Sequence, residues 1–463
     1  MSLLSLWVCV GAFVSLSVAT SSNEPSQYRV AFLPNGACVS WYTPDKPAAT
    51  PVVLYGMSAS NLTMSASGVY HTYGTGYFSD VLLEDLLPYT VYNAVAFTFK
   101  VLLSNQCPGD PTAFTFVMVG DMGIEHSEDT IKQLTAAVPK VDFIHHVGDM
   151  SYGNFFVSPC FSADDWARRH DTYEGTWNKV NACLFSCQWQ GEIDPVSSQR
   201  AYMVLPGNHE ATCSEGDPKA CAQNTRNFTS YRNRFRMPWV ESGGVDNMWY
   251  SYNYGSVHFC NINTETDYPK APEGVGTSIN AGPFGNQLDW LEVDLEAANV
   301  NRSQTPWCLF NCLIDVKDHC VGSSSHLQAP LAVSTVLSSG DGDYSMTRDA
   351  FEKILIKHKV DLYFAGHVHW YERMWPIGSG GKIHQKNYNN PDVPIYIVNG
   401  AAGNVEGHTK GSKKDFTAFL NDKDYGYGRV TIFNSTTLLW QFYHAKDNHL
   451  VDEIYITKKH SSD

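Results

Sequence analysis

Four short clusters in the chain gather side chains able to bind metal ions. They are Gly120-Asp121-Met-Gly123, Gly148-Asp149-Met-Ser-Tyr152, Gly207-Asn208-His209-Glu210 and Gly366-His367-Val-His369. Carboxylate, amide, imidazole and phenol groups offer the oxygen and nitrogen donors that transition metals and zinc take. His367 and His369 stand two residues apart, so in extended backbone both rings face one side. A glycine ahead of Asp121, Asp149, Asn208 and His367 lets the chain turn sharply and keeps bulk away from an ion. Each residue alone has a plainer reading. Asp after a strand is a turn or cap residue, Asn208 a turn former, Tyr152 a packing residue, and the histidines ordinary neighbours of Trp370 and Tyr371. The repetition, each cluster following an apolar run, favours one shared site.

Those runs must be the elements that carry the site. Residues 114–119, 141–147, 201–205 and 361–365 read as buried strands, and 128–138 and 349–359 read as helices. Strands alternating with helices predict a parallel or mixed sheet covered by helices. Ligands of such sheets bind beyond the carboxyl ends of the strands, where Asp121, Asp149, Asn208, His367 and His369 would converge. Residues 22–105 read differently, as an all-β segment with strands at 28–32, 37–42, 52–55 and 89–99, a pattern that suggests a sandwich. Residues 105–111 read as a linker, and long loops cover 266–286 and 376–392. The fold class expected is α+β or α/β: a β-sandwich at 21–108, then a second sandwich flanked by helices at 112–455.

The chain has 463 residues, 43% of them hydrophobic and 13% aromatic, which excludes wholesale disorder. Its 32 basic and 47 acidic residues leave a net charge of −15, which argues against nucleic-acid and anionic-membrane partners. An anionic small substrate stays possible because bound metal reverses the sign locally. Residues 3–18 are apolar and 17–19 small, so residues 1–20 read as a secretory signal peptide, with an N-terminal membrane anchor as the alternative. No further stretch reads as a membrane span, and secretion or a vacuolar or lysosomal address is expected. Twelve cysteines suit an oxidising compartment. Cys213 with Cys221, and Cys183 with Cys187, are close enough in sequence to pair, although spacing alone cannot decide connectivity. Asn61, Asn227, Asn301 and Asn434 stand in glycosylation sequons.

The four clusters, in this order and at these intervals, resemble those of the purple acid phosphatases within the calcineurin-like metallophosphoesterases. The likeness covers nearly the whole chain. Residues 25–105 resemble the family's fibronectin-like N-terminal domain, with Val39-Ser-Trp-Tyr42 as its recognisable strand, and Asp424-Tyr-Gly-Tyr-Gly-Arg429 resembles its C-terminal part. Gly123 selects the branch, because related serine/threonine phosphatases and exonucleases carry a histidine there and this branch uses Tyr152 instead. The resemblance implies Fe(III) on Asp121, Tyr152 and His369, Asp149 bridging to a divalent Zn, Mn or Fe, and Asn208 and His367 on that second ion. It makes His209 the catalytic residue beside the phosphate. Two aspartates and a tyrosinate bring about −3, two ions about +5, and a bridging hydroxide leaves about +1 to attract phosphate. The implied activity is hydrolysis of small phosphate monoesters by metal-activated hydroxide. Alternatives are a phosphodiesterase of the same superfamily, or a catalytically weakened or inactive secreted binding or adhesion protein.

One feature departs from the family pattern. A further divalent-metal histidine is expected after the strand that Thr305-Pro-Trp307 opens, and counting onward puts Leu313 in that place. Three readings follow: a local reading-frame or splice error, replacement by His319, or a weakened second metal position.

Overall fold

The structure is a computed structural model that describes residues 23–73, 76–87, 90–94, 97–101, 113–152, 181–211, 227–277, 279–313 and 345–459. The expected signal segment, the linker at 105–111, Cys213, Cys221, His319 and His326 lie outside these residues.

Among the described residues, eight strands form the N-terminal segment: β1 Ser26–Leu33, β2 Gly36–Thr43, β3 Val52–Gly56, β4 Met64–Ser67, β5 Val69–Tyr73, β6 Gly76–Leu83, β7 Thr90–Ala94 and β8 Phe97–Val101. β1 and β2 are almost continuously buried, whereas β3 and β4 alternate between buried or partly buried and exposed positions. The run at 89–99 is not one strand. It folds back on itself as the antiparallel pair β7 and β8, with Ala94 facing Phe97. Its unbroken aromatic and β-branched pattern concealed the reversal.

The second segment contributes β9 Phe114–Val119, β10 Phe143–Val147 and β11 Ala201–Leu205, with helices α1 Glu128–Ala137 and α2 Asn181–Ser197 between them. β9, β10 and β11 pair in parallel in that order. They extend into a ten-stranded sheet. On one side lie β21 Gly426–Asn434, β22 Thr437–His444 and β23 Leu450–Thr457; on the other, β1, β2, β6 and β5 of the N-terminal segment. The join is parallel pairing of Val30 with Ala201. Asp194 of α2 accepts a 2.8 Å hydrogen bond from the Tyr28 amide, and Ser197 donates one of 2.8 Å to the Tyr28 carbonyl.

A second sheet of seven strands runs β12 Tyr250–Tyr254, β13 Val257–Asn261, β14 Trp307–Cys312, β15 Leu362–Ala365, β19 Ile395–Asn399, β16 Tyr371–Met374 and β20 Thr417–Asn421. β13, β14, β15 and β19 are parallel. A small antiparallel pair, β17 Ile377–Gly378 and β18 Lys382–Ile383, sits in the loop after β16.

The two sheets pack face to face. Phe116 and Phe143 of the first meet Phe259 of the second edge-on, at 5.3 and 5.6 Å between ring centroids, a favoured aromatic geometry. On the outer face of the second sheet, Phe310, Tyr363 and Tyr396 pack with Leu291 and Leu295 of a helix at Gln287–Val300 and with Phe351 and Leu355 of a helix at Ser345–Lys357. Both faces of the parallel strands are thus covered. That is why they read as continuous apolar runs rather than alternating ones.

Four described cysteines, Cys38, Cys260, Cys308 and Cys312, are buried free thiols. Cys183 and Cys187 fall four residues apart within α2. Asn61 and Asn434 are exposed, and Asn301 caps the end of the Gln287–Val300 helix. Asn227 accepts a 2.7 Å hydrogen bond from the Gly282 amide.

Candidate metal centre

The carboxyl ends of β9, β10, β11 and β15 lie along one rim of the two facing sheets, and the four glycine-led clusters lie there with them. Asp121 and Asp149 are fully buried, and the side chains of His209, His369 and His367 are 3%, 7% and 13% exposed. Asp121, Asp149, Tyr152 and His367 all adopt positive φ, at 59°, 51°, 51° and 69°. Such backbone costs on the order of 1–3 kcal/mol per residue and persists only where its surroundings enforce it, typically at working sites. Of the four leading glycines only Gly148 has positive φ, at 77°. The others are needed for room: a methyl on Gly366 would lie 2.5 Å from Asp121 Oδ2, and one on Gly207 2.2 Å from Asp149 Oδ1.

Asp121, Tyr152 and His369 close on one another. The Tyr152 hydroxyl lies 2.8 Å from His369 Nε2 and donates to Asp121 Oδ1 at 3.1 Å, and those last two atoms are 3.4 Å apart. Donors sharing one ion sit about 3 Å from each other, so this set fits an ion. Asp121 Oδ2 is held apart from it, accepting the His367 amide at 2.7 Å. Burial first, then the charges of Asp121 and Asp149, push the Tyr152 phenol well above its ordinary range. Only a highly charged cation would release that proton. For His369, burial lowers the affinity for a proton. The hydrogen bond and charge of Asp121, with Glu406 and the Gly407 carbonyl, outweigh it and raise the net value.

Asp149, Asn208 and His367 form the neighbouring group. His367 Nδ1 is 3.0 Å from Asn208 Oδ1 and 3.9 Å from Asp149 Oδ2. Asp149 Oδ1 accepts the His209 amide at 3.0 Å, whereas the buried Oδ2 has no hydrogen-bond partner. A buried carboxylate oxygen without a partner is costly, and burial with the charges of Asp121 and Glu210 drives the Asp149 carboxyl well above its usual range. A cation would relieve both. Leu313 follows β14 directly and is fully buried beside this group. Among the described residues no three His, Cys, Asp or Glu side chains make a metal-holding group by themselves. The first set depends on a tyrosine. The second has only Asp149 and His367 of those types and depends on an asparagine.

The structure adds residues that motif reading passed over. Glu210 accepts hydrogen bonds from the Asp149, Met150 and Gly207 amides at 2.9, 3.0 and 2.9 Å, tying two strand ends together. Burial pushes its carboxyl up to about 7 against the pull of those amides. Glu406 lies 3.4 Å from His369 Nε2 and 3.7 Å from His209 Nε2. Asn404 donates to the Asp121 carbonyl at 3.1 Å, and the Gly123 amide donates to the Gly403 carbonyl at 2.8 Å. Glu210 was visible within its cluster as a carboxylate beside two candidate donors. Glu406 and Asn404 carry no spacing signal, since a loop after β19 brings them in. The His209 ring lies 4.1 Å from that of Tyr152, tilted 39° to it. Burial and the nearby His369 and His367 hold it well below the ordinary histidine value.

Such a donor-rich rim on paired sheets defines a metal-dependent phosphoesterase architecture. The chain belongs to the calcineurin-like phosphoesterases, which it matches over residues 114–371, and to their purple acid phosphatase branch, whose N-terminal domain it matches over 25–96 and whose iron/zinc C-terminal part over 393–453. It is 29% identical to an acid phosphatase of Aspergillus ficuum, over 96% of this chain and 88% of that protein. It is 27% identical to acid phosphatase type 7 of Danio rerio, over 98% of this chain and 96% of that protein. A solved purple acid phosphatase from yellow lupin seeds superposes with a TM-score of 0.70 at 23% identity, over 94% of this chain and 75% of that one. The family implies a binuclear metal centre.

Proposed function

We propose that the chain is an acid phosphatase that hydrolyses small phosphate monoesters. The carrying observation is the convergence of Asp121, Tyr152, His369, Asp149, Asn208 and His367 on one rim, with the Asp149 Oδ2 oxygen buried and lacking a hydrogen-bond partner. Asp121, Tyr152 and His369 would hold a ferric ion; Asp149, Asn208 and His367 would hold zinc, manganese or iron, with Asp149 shared. When bound, such ions supply a hydroxide at acidic pH and neutralise charge on the phosphate.

The chain's own residues do the rest. His209 is kept neutral and still carries one N–H, which suits it to hold a phosphate oxygen or the leaving group. Glu406, 28% exposed, faces both His209 and His369 and orients them. Glu210 locks the strand ends so that Asp149 and Asn208 keep their places. Strained backbone at four of these positions is consistent with a site organised before substrate arrives.

We also read residues 21–108 and 112–455 as the two domains, and the protein as a secreted or vacuolar glycoprotein carrying sugar on one or more of Asn61, Asn227, Asn301 and Asn434. Among the described residues no helix is long and apolar enough to cross a membrane. The test is to load the full chain with iron and zinc and compare an aryl phosphate monoester with the matching diester at about pH 5. Faster monoester turnover is expected. No turnover, or preference for the diester, overturns the reading.

A further inference from the structure

We infer that the second ion is exchangeable: Leu313 takes the corner where a donor would complete its site, so this position fills in proportion to the free divalent metal around the protein. The inference rests on the metal-centre reading above and concerns only its Asp149 side.

Leu313 does not merely lie near the site; it is seated among the strand ends that form it. A methyl placed on Gly207 would lie 2.6 Å from Leu313 Cδ2 and 2.2 Å from Asp149 Oδ1. One placed on Gly366 would lie 3.0 Å from Leu313 Cδ1 and 2.5 Å from Asp121 Oδ2. One on Gly148 would lie 2.8 Å from Leu313 Cδ1. The side chain therefore fills the crease between the glycines that precede Asp149, Asn208 and His367. Methyl groups cannot coordinate a cation. Among the described residues the Asp149 side is left with one carboxylate, one amide and one imidazole, and the amide is a weak, uncharged donor. The tyrosine side keeps Asp121, Tyr152 and His369, whose donor atoms lie within 3.4 Å of one another. The two positions should thus differ sharply in retention. Loss of a supporting contact already weakens metal sites about 10–100-fold, and loss of a direct donor should cost at least the upper figure.

The experiment uses the full chain loaded with iron and then desalted. Elemental analysis should find one iron and little zinc per chain, with the tyrosinate absorption band present. Zinc alone is then titrated by calorimetry onto this iron-loaded protein. Leu313→His should bind zinc at least about 100-fold more tightly than the natural chain, whereas Leu313→Ala, which opens the same space without a donor, should not. Neither substitution should move the absorption band. Activity of the natural chain should fall on desalting and return with added zinc, and that of the Leu313→His chain should hold. Two tightly held ions in the desalted natural chain would overturn the inference, with no variant needed. Loss of zinc in His319→Ala would overturn it too, by identifying His319 as a compensating donor, and so would equal zinc affinity in Leu313→His and Leu313→Ala. Absence of the absorption band from the iron-loaded natural chain would instead overturn the metal-centre reading, and this inference with it.

Discussion

On one side of Asp149, the oxygen and nitrogen atoms of Asp121, Tyr152 and His369 already touch within 3.4 Å. On the other, Asn208 and His367 meet at 3.0 Å and the remaining corner is a leucine. Both sides are built from the same device, a glycine and a donor just beyond a buried strand. They differ in what the neighbouring strand delivers. The Gly148 turn at the end of β10 leads on to Tyr152, whereas the residue directly after β14 is the apolar Leu313. If the two sides hold ions as proposed, similar scaffolds would do so with unlike tenacity, set by one or two side chains rather than by the fold.

The sharpest way to break the contrast is at the shared residue. Asp149→Asn should remove both sides at once and lower kcat/KM by about a thousandfold or more, on the order of 4 kcal/mol. Survival of activity under steady-state assay would show that the sides are not joined there. Next come substitutions confined to one side. Tyr152→Phe should abolish the visible absorption and weaken iron about 100-fold or more, measured by elemental analysis after dialysis against a competing chelator. Asn208→Ala should leave the band intact and reduce activity about 100-fold or more at limiting zinc. If the two variants behaved alike in both assays, the division into halves would be wrong.

A smaller effect concerns the strap common to both. Glu210→Gln replaces one accepting oxygen with a donor that must face an amide, and should cost about 1–3 kcal/mol of stability, read from thermal melts. A separate effect, on stability and its pH dependence, comes from the floor beneath. His145 and His146 of β10 are pushed down to about 3, by burial above all. The unfolded chain takes up protons below about 6.5, and the fold refuses them until about 3. Their contribution is complete above about 6.5 and declines as pH falls, by about 1.4 kcal/mol per pH unit for each residue. Melting temperature should drop between pH 6.5 and 5, and His145→Gln should shallow that slope.

Much of this was legible because buried parallel strands announce themselves as unbroken apolar runs, and a donor directly after such a run has little else to do when the pattern recurs. Counting from Trp307 located Leu313 for the same reason, since strand length sets where the chain emerges. What stayed hidden depended on contacts across long intervals of chain. Glu406 meets His369 through the loop after β19, where its sequence position gives no spacing relation to the four clusters. The reversal between β7 and β8 was masked by residues that favour strands on both sides of it. The parallel pairing of β1 with β11 was equally invisible, because no local pattern records which strand an edge will meet.

That last pairing bears on how the protein could be cut down. Val30 against Ala201 covers the outer flank of the strand that leads to Asn208. A fragment starting near residue 112 would bare that flank, leaving main-chain donors and acceptors open to any passing extended peptide. Such a truncation should clump during expression before its catalysis could be assayed, so the front segment serves as a selvedge for the rest of the weave.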